Sequence, residues 1–299
     1  MDHPDRRTGP RTASALETAD FLALDHAPLH SPAGGGASIT RARLDALEVY
    51  ALHAQGACAI VSRFGAQVLA YRTAAGREVL FTSALAPFDR SRPIRGGIPV
   101  CWPWFGPAAQ PQHGWGRIRD CELAAADADA AGLTLRLAEP GGASAQVRIE
   151  LGSELWVALT HLGDPAAGPP VTAALHSYLR TPEAGATRVR GLPAGTQIPA
   201  AARNAAEPGA FAFPAAGIDA ALALPGGIQD IRLAVAAGER DCATIAAACS
   251  DVVLWNPGGP LGDTTEHAHR ASCAWSPRAS ASRCGRARSW RPRTPPEGR

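Results

Sequence analysis

Between Leu47 and Trp255 the chain is cut repeatedly by Gly, Pro, Asp and Asn into short runs rich in strand-forming residues. The runs fall at 57–61, 66–71, 78–82, 133–137, 146–151, 155–161, 171–179, 231–235 and 252–255. A recurrence at roughly ten-residue spacing is the pattern of an antiparallel sandwich, not of alternating strand–helix units. Residues 124–131 are Ala-rich enough to pass for helix, but Asp127, Asp129 and Gly132 favour a loop there. No internal repeat is present.

A chain of 299 residues can bury one large β core. Residues 1–40 mix Pro, Gly, Asp and Arg with little periodicity and are expected to be a disordered leader. Residues 41–262 read as a single all-β domain. Residues 263–299 contain no Val, Ile, Leu, Phe, Tyr or Met, so they are expected to lie disordered or loosely on the surface. That tail holds eight Arg against three acids, a charge of +5 set against −3 for residues 1–262. Every basic residue is Arg and none is Lys, which fits a GC-rich gene better than a nucleic-acid binder. The seven Cys are odd in number with no metal-type spacing, so free thiols in a reducing cytoplasm are expected. No signal peptide or membrane span is apparent. A soluble, cytoplasmic monomer without metal or cofactor is the expectation.

The residues that carry chemistry are concentrated between Ile94 and Arg117. There the chain reads Ile-Arg-Gly-Gly-Ile-Pro-Val-Cys-Trp-Pro-Trp-Phe-Gly and, after three more residues, Gln-Pro-Gln-His-Gly-Trp-Gly-Arg from Gln110. Arg95 and Arg117 offer guanidinium forks, His113 an imidazole, and Trp102, Trp104 and Trp115 offer walls. Backbone so rich in Gly and Pro sits on turns between strands, where binding residues usually lie.

Two further pieces complete a signature: Ala173-Ala174-Leu175-His176-Ser177-Tyr178 within a strand, and Val252 to Gly258, a strand ending in Trp255-Asn256-Pro257. In this order and at these distances the chain resembles the D-hexose-6-phosphate mutarotases, the glucose-6-phosphate 1-epimerases of the aldose 1-epimerase superfamily, from about residue 44 to 262. The resemblance implies a galactose-mutarotase-like antiparallel β-sandwich (a supersandwich). It also implies interconversion of the α and β anomers of a hexose 6-phosphate, a small-molecule substrate, with no cofactor. Ring opening needs a base for the C1 hydroxyl proton and an acid for the ring oxygen, each worth ~10²–10⁴ in rate. The resemblance assigns the acid to His176 and ligand binding to Arg95 and Arg117, with Gln112 and His113 beside them. A planar guanidinium suits phosphate because it donates two parallel charge-assisted hydrogen bonds. Trp102, Trp104 and Phe105 read as core and wall, and His161 as structural.

The chain departs from the family at the other half of the acid–base pair. The family's Glu belongs to a near-C-terminal Phe-Val-Cys-Val-Glu strand, expected here near Trp275-Ser276, but residues 271–276 read Ala-Ser-Cys-Ala-Trp-Ser. Read out of phase, from the third base of each codon, the same stretch can encode Phe-Val-Cys-Val-Glu if Ser276 uses an AGY codon. This points to a frameshift between about residues 261 and 271. Ala200 stands where the family tends to have a sugar-binding Asp, and Asp219-Ala220-Ala221-Leu222 where it has Asp-Arg-x-Tyr. The chain as written is therefore expected to be impaired as an epimerase. The alternative is a non-catalytic sugar-phosphate-binding protein on the same fold.

Overall fold

A computed structural model describes residues 15–30, 36–127, 129, 131–138, 142, 144–163, 170–280 and 287–290. Antiparallel sheet dominates, and among the described residues only Thr18–Leu22 forms an α-helix. A first sheet runs in chain order through Ala27–His30, Ala37–Leu44, Leu47–Ala54, Ala57–Ser62 and Gln67–Arg72. A second is a meander of Glu122–Asp127, Gly132–Ala138, Ser144–Leu151 and Leu155–His161, with Ala287–Trp290 on its far edge. A third has the order Phe211–Ala212, Thr187–Arg190, Gln229–Ala237, Arg240–Cys249. A fourth sheet is six-stranded and ordered Ile218–Ala223, Asp251–Asn256, Ser272–Ser280, Thr172–Leu175, Val100–Cys101, in which Ser177–Arg180 also pairs with Ser272–Ser280.

One core joins these sheets. Tyr50 and Leu52 from the first, Leu133 and Val147 from the second, Leu233 and Ile245 from the third, and Leu254 and Trp275 from the six-stranded sheet all belong to it. The all-β sandwich is thus the observed architecture. Burial explains the texture of individual strands. Ser144–Leu151 alternates buried and half-buried residues because one face packs inward. Ala57–Ser62 is buried throughout, because a second cluster with Phe21, Phe88 and Ile94 covers the outer face of its sheet.

That second cluster corrects the expectation of a disordered leader to residue 40. Residues 15–30 and 37–40 form structure, held by contacts distant in sequence. Phe21 packs edge-on against Phe88 with ring centroids 6.5 Å apart. Thr18 donates from its amide and its hydroxyl to Glu78 at 3.0 and 2.6 Å. Arg180 reaches back to Glu17 and to the Leu16 carbonyl at 2.7 and 3.0 Å. Residues 1–14 lie outside the described residues. The loop expected over 124–131 is likewise replaced in part by the exposed edge strand Glu122–Asp127. Its backbone pairs with Gly132–Ala138, supplying what alanine-rich side chains cannot.

The tail also differs from expectation. Residues 272–280 are a strand in the middle of the six-stranded sheet, paired with Asp251–Asn256 on one side and with Thr172–Leu175 and Ser177–Arg180 on the other. Cys273, Ala274 and Trp275 supply apolar burial that a search for aliphatic residues overlooks. The strand nevertheless bears two marks of a poor fit. Pro277 brings no N–H to a central strand, and the ladder opposite lapses between Leu175 and Ser177. The Trp275 indole N–H is buried without a partner among the described residues, a cost of about 1–3 kcal/mol. Residues 281–286 and 291–299, including Cys284, lie outside the described residues. The other six cysteines are buried free thiols.

Candidate active site

Hydrogen bonding between two distant segments assembles the site. His176 donates its amide to Pro99 O at 3.0 Å, and Tyr178 its amide to Gly97 O at 2.8 Å. Val100–Cys101 pairs with Ala174 and Leu175 in the same ladder. The Arg95 loop is thereby fastened along the strand that carries His176. Only glycine serves at 96 and 97. Their φ angles are +113° and +61°, and a Cβ would come within 2.4 Å of Phe81 O at Gly96 and 2.1 Å of Val68 O at Gly97.

Four of the five predicted side chains converge. The His113 and His176 rings stack 6.4 Å apart at 29°. Arg95 and Arg117 lie close enough to both to act on their titration. Gln112 is exposed and meets Arg117 only through its backbone, its carbonyl accepting from Arg117 Nη2 at 2.8 Å. Arg117 Nε is buried with no partner among the described residues. Phe105 packs on His113 at 4.8 Å, while Tyr178 and Trp255 stand edge-on to His176 at 4.9 and 6.1 Å. Trp102 is core, its indole N–H bonded to His161 Nδ1 at 3.3 Å. Trp104 and Trp115 pack on each other edge-on at 6.4 Å.

Sequence reasoning missed two partners. Asp263 accepts from Arg95 Nε on both carboxylate oxygens, at 3.2 and 3.1 Å, and the Tyr178 hydroxyl accepts from Arg95 Nη1 at 2.9 Å. Neither was discoverable from spacing, since Asp263 is 168 residues from Arg95. A further contact involves Ser276, where the sequence places the missing Glu: its Oγ is hydrogen-bonded to His176 Nδ1. Register makes that contact inevitable: Ala174 faces Arg278 and Ser177 faces Trp275, so His176 faces Ser276. The position expected to lack a carboxylate is therefore directly opposite the predicted acid. Asn256 pins the approach to this strand, donating to the His269 and Ser272 carbonyls at 2.7 and 2.8 Å.

Burial and the surrounding cations keep both imidazoles neutral. Desolvation, then His113, Arg95 and Arg117, push His176 down to about 3. Desolvation, then Arg117 and Arg95, push His113 down to about 4. Burial also lowers Arg117. It pulls Arg95 down too, but Tyr178 and Asp263 outweigh it and leave Arg95 above its ordinary value. The result is a cation-rich site that suits an anion. Among the described residues no group of three or more His, Cys, Asp or Glu side chains is placed to hold a metal ion, and no helix is long and apolar enough to cross a membrane.

The chain is similar to several known proteins. A family model described as aldose 1-epimerase matches residues 48–287. A candidate glucose-6-phosphate 1-epimerase of Escherichia coli (strain K12) is 32% identical over 167 residues, 52% of this chain and 55% of that protein. A protein of the same description from Haemophilus influenzae is 33% identical over 122 residues, 40% of this chain and 44% of its own. The chain spans about half the length of the curated relatives it matches. Among solved structures, a candidate mutarotase from Salmonella typhimurium superposes with a TM-score of 0.71 at 24% identity, over 92% of this chain and 97% of that one. A galactose mutarotase-like protein from Lactobacillus casei gives a TM-score of 0.54 at 13% identity, over 81% and 87%. These likenesses show the galactose-mutarotase-like fold.

The depressed imidazoles make stability pH-dependent. Between their folded values of about 3 and about 4 and the ordinary ~6.5, the unfolded chain binds protons that the folded chain does not. Stability is then complete above about pH 6.5 and falls as pH drops toward 4. Urea unfolding midpoints measured from pH 7.5 to 4.5 are expected to decline with acidity, and less steeply in His176→Asn. An unchanged slope in that variant would contradict the assignment.

Proposed function

The chain belongs to the aldose 1-epimerase family, and we propose that its site binds a hexose 6-phosphate and descends from one that interconverts the α and β anomers. Arg95 and Arg117 hold the phosphate, which explains why two half-buried guanidiniums sit close together against their mutual repulsion. His176 serves the ring oxygen. As a neutral imidazole it acts as a hydrogen-bond donor rather than an imidazolium. Bound phosphate offsets the two arginines and draws its pKa back toward the ordinary range.

Anomerisation also needs a base at the C1 hydroxyl, and here the chain falls short. The observation that carries the reading is Ser276 opposite His176. A serine hydroxyl is far too weak a base at neutral pH to replace a carboxylate. Without one positioned proton transfer the rate drops by ~10²–10⁴. The same observation favours the second reading for the chain as it stands, a non-catalytic sugar-phosphate-binding protein. The proposal further makes it a cytoplasmic monomer, in a compartment that keeps its buried thiols reduced. It assigns no nucleic-acid or membrane partner.

Anomer exchange of glucose 6-phosphate, followed by saturation-transfer NMR, tests this. The chain is expected near the uncatalysed rate, and Ser276→Glu to gain about 10²-fold or more. Fast exchange by the unmodified chain, indifferent to Ser276→Glu, would show that the base lies elsewhere. The origin of the serine is a separate matter. Pro277 and the stranded Trp275 N–H accord with a stretch read out of phase. Resequencing the gene is expected to reveal a Phe-Val-Cys-Val-Glu peptide in the overlapping frame, and its absence would sink the frameshift.

A further inference from the structure

The polar groups of the site can be sorted into donors and acceptors, and the sorting is lopsided. His113 Nδ1 accepts the Gly106 amide at 3.1 Å. A neutral ring that accepts at Nδ1 carries its proton on Nε2. His176 Nδ1 is bonded to Ser276 Oγ, and Ser276 is fully buried with His176 as the side-chain partner that the described residues provide. A hydroxyl proton turned elsewhere would be stranded at a cost comparable to a lost hydrogen bond. Ser276 therefore donates to Nδ1, and His176 too carries its proton on Nε2. To these two N–H donors are added the guanidiniums of Arg95 and Arg117, including the buried, unpartnered Nε of Arg117. On the acceptor side, the Asp263 carboxylate is committed to Arg95. The titratable neighbours that act on His176 are His113, Arg95 and Arg117, with no acid among them.

Such a site is poorly matched to a C1 hydroxyl, whose proton needs an acceptor. It is well matched to a group that only accepts. Resting on the reading that this site holds a sugar phosphate, we propose that the preferred ligand of this chain is anionic at both ends. Its class is an aldonate 6-phosphate, a hexose 6-phosphate carrying a carboxylate at C1. The ligand's phosphate lies on the arginines and its carboxylate faces the two imidazole N–H groups. The negative charge that a carboxylate at position 276 would bring opposite His176 is supplied by the ligand instead. Residue 276 thus sets whether the site prefers the sugar or its oxidised form, whatever the origin of the serine.

Isothermal titration of the full chain at pH 7 with glucose 6-phosphate, gluconate 6-phosphate and gluconate tests the inference. Gluconate 6-phosphate is expected to bind about tenfold tighter than glucose 6-phosphate, the scale of one added charge-assisted hydrogen bond. Gluconate alone is expected to bind far more weakly than either. Ser276→Glu is expected to reverse the order, because two carboxylates would then meet at the C1 end. If circular dichroism shows that variant unfolded, Ser276→Asp takes its place. Equal binding of the two phosphates, or an order unchanged by the acidic variant, would overturn the inference while leaving the sugar-phosphate site intact. Failure of both phosphates to bind would overturn the site itself.

Discussion

The antiparallel ladder between Ser272–Ser280 and the strands around His176 governs most of what this molecule can do. One register runs through Thr172–Leu175 and Ser177–Arg180 and sets residue 276 opposite His176. Because side chains alternate across a sheet, a slip of one residue would turn the facing side chain into the core. The other edge of the strand pairs with Asp251–Asn256, which brings Trp255 beside His176 and Tyr178. Core, site wall and the partner of the imidazole therefore depend on a single strand, and that strand has the least orthodox sequence in the sheet.

The fold was legible where its determinants are local. Runs such as 155–161 coincide with an observed strand, because a short continuous apolar run between turn formers specifies it without outside help. The interruption at His176 was not legible, since it arises from Pro277 a hundred residues away. The leader was misjudged for a similar reason. Phe21, Thr18 and Glu17 are isolated in the sequence, and their partners Phe88, Glu78 and Arg180 appear only when the chain is folded. In the tail, Cys273, Ala274 and Trp275 replace the aliphatic residues by which buried strands are usually recognised.

The site was legible to the extent that its residues share motifs. Arg95, His113, Arg117 and His176 lie close together, whereas Gln112 contributes a carbonyl and an exposed side chain. Asp263 carries no motif signal and Ser276 was marked only as the place of a missing Glu, yet both touch the site: one occupies Arg95 and the other is hydrogen-bonded to His176 Nδ1. Desolvation and the neighbouring cations hold both imidazoles in the neutral form.

That the site is a donor surface without a base is the claim on which the rest turns, and it can be read directly from ring nitrogens. Long-range ¹H–¹⁵N correlation spectra at pH 7 distinguish Nδ1–H, Nε2–H and charged imidazoles. Neutral Nε2–H tautomers are expected for both His113 and His176. A His176 ring protonated on Nδ1, with Nε2 open as a base, or a charged imidazolium there, would contradict it.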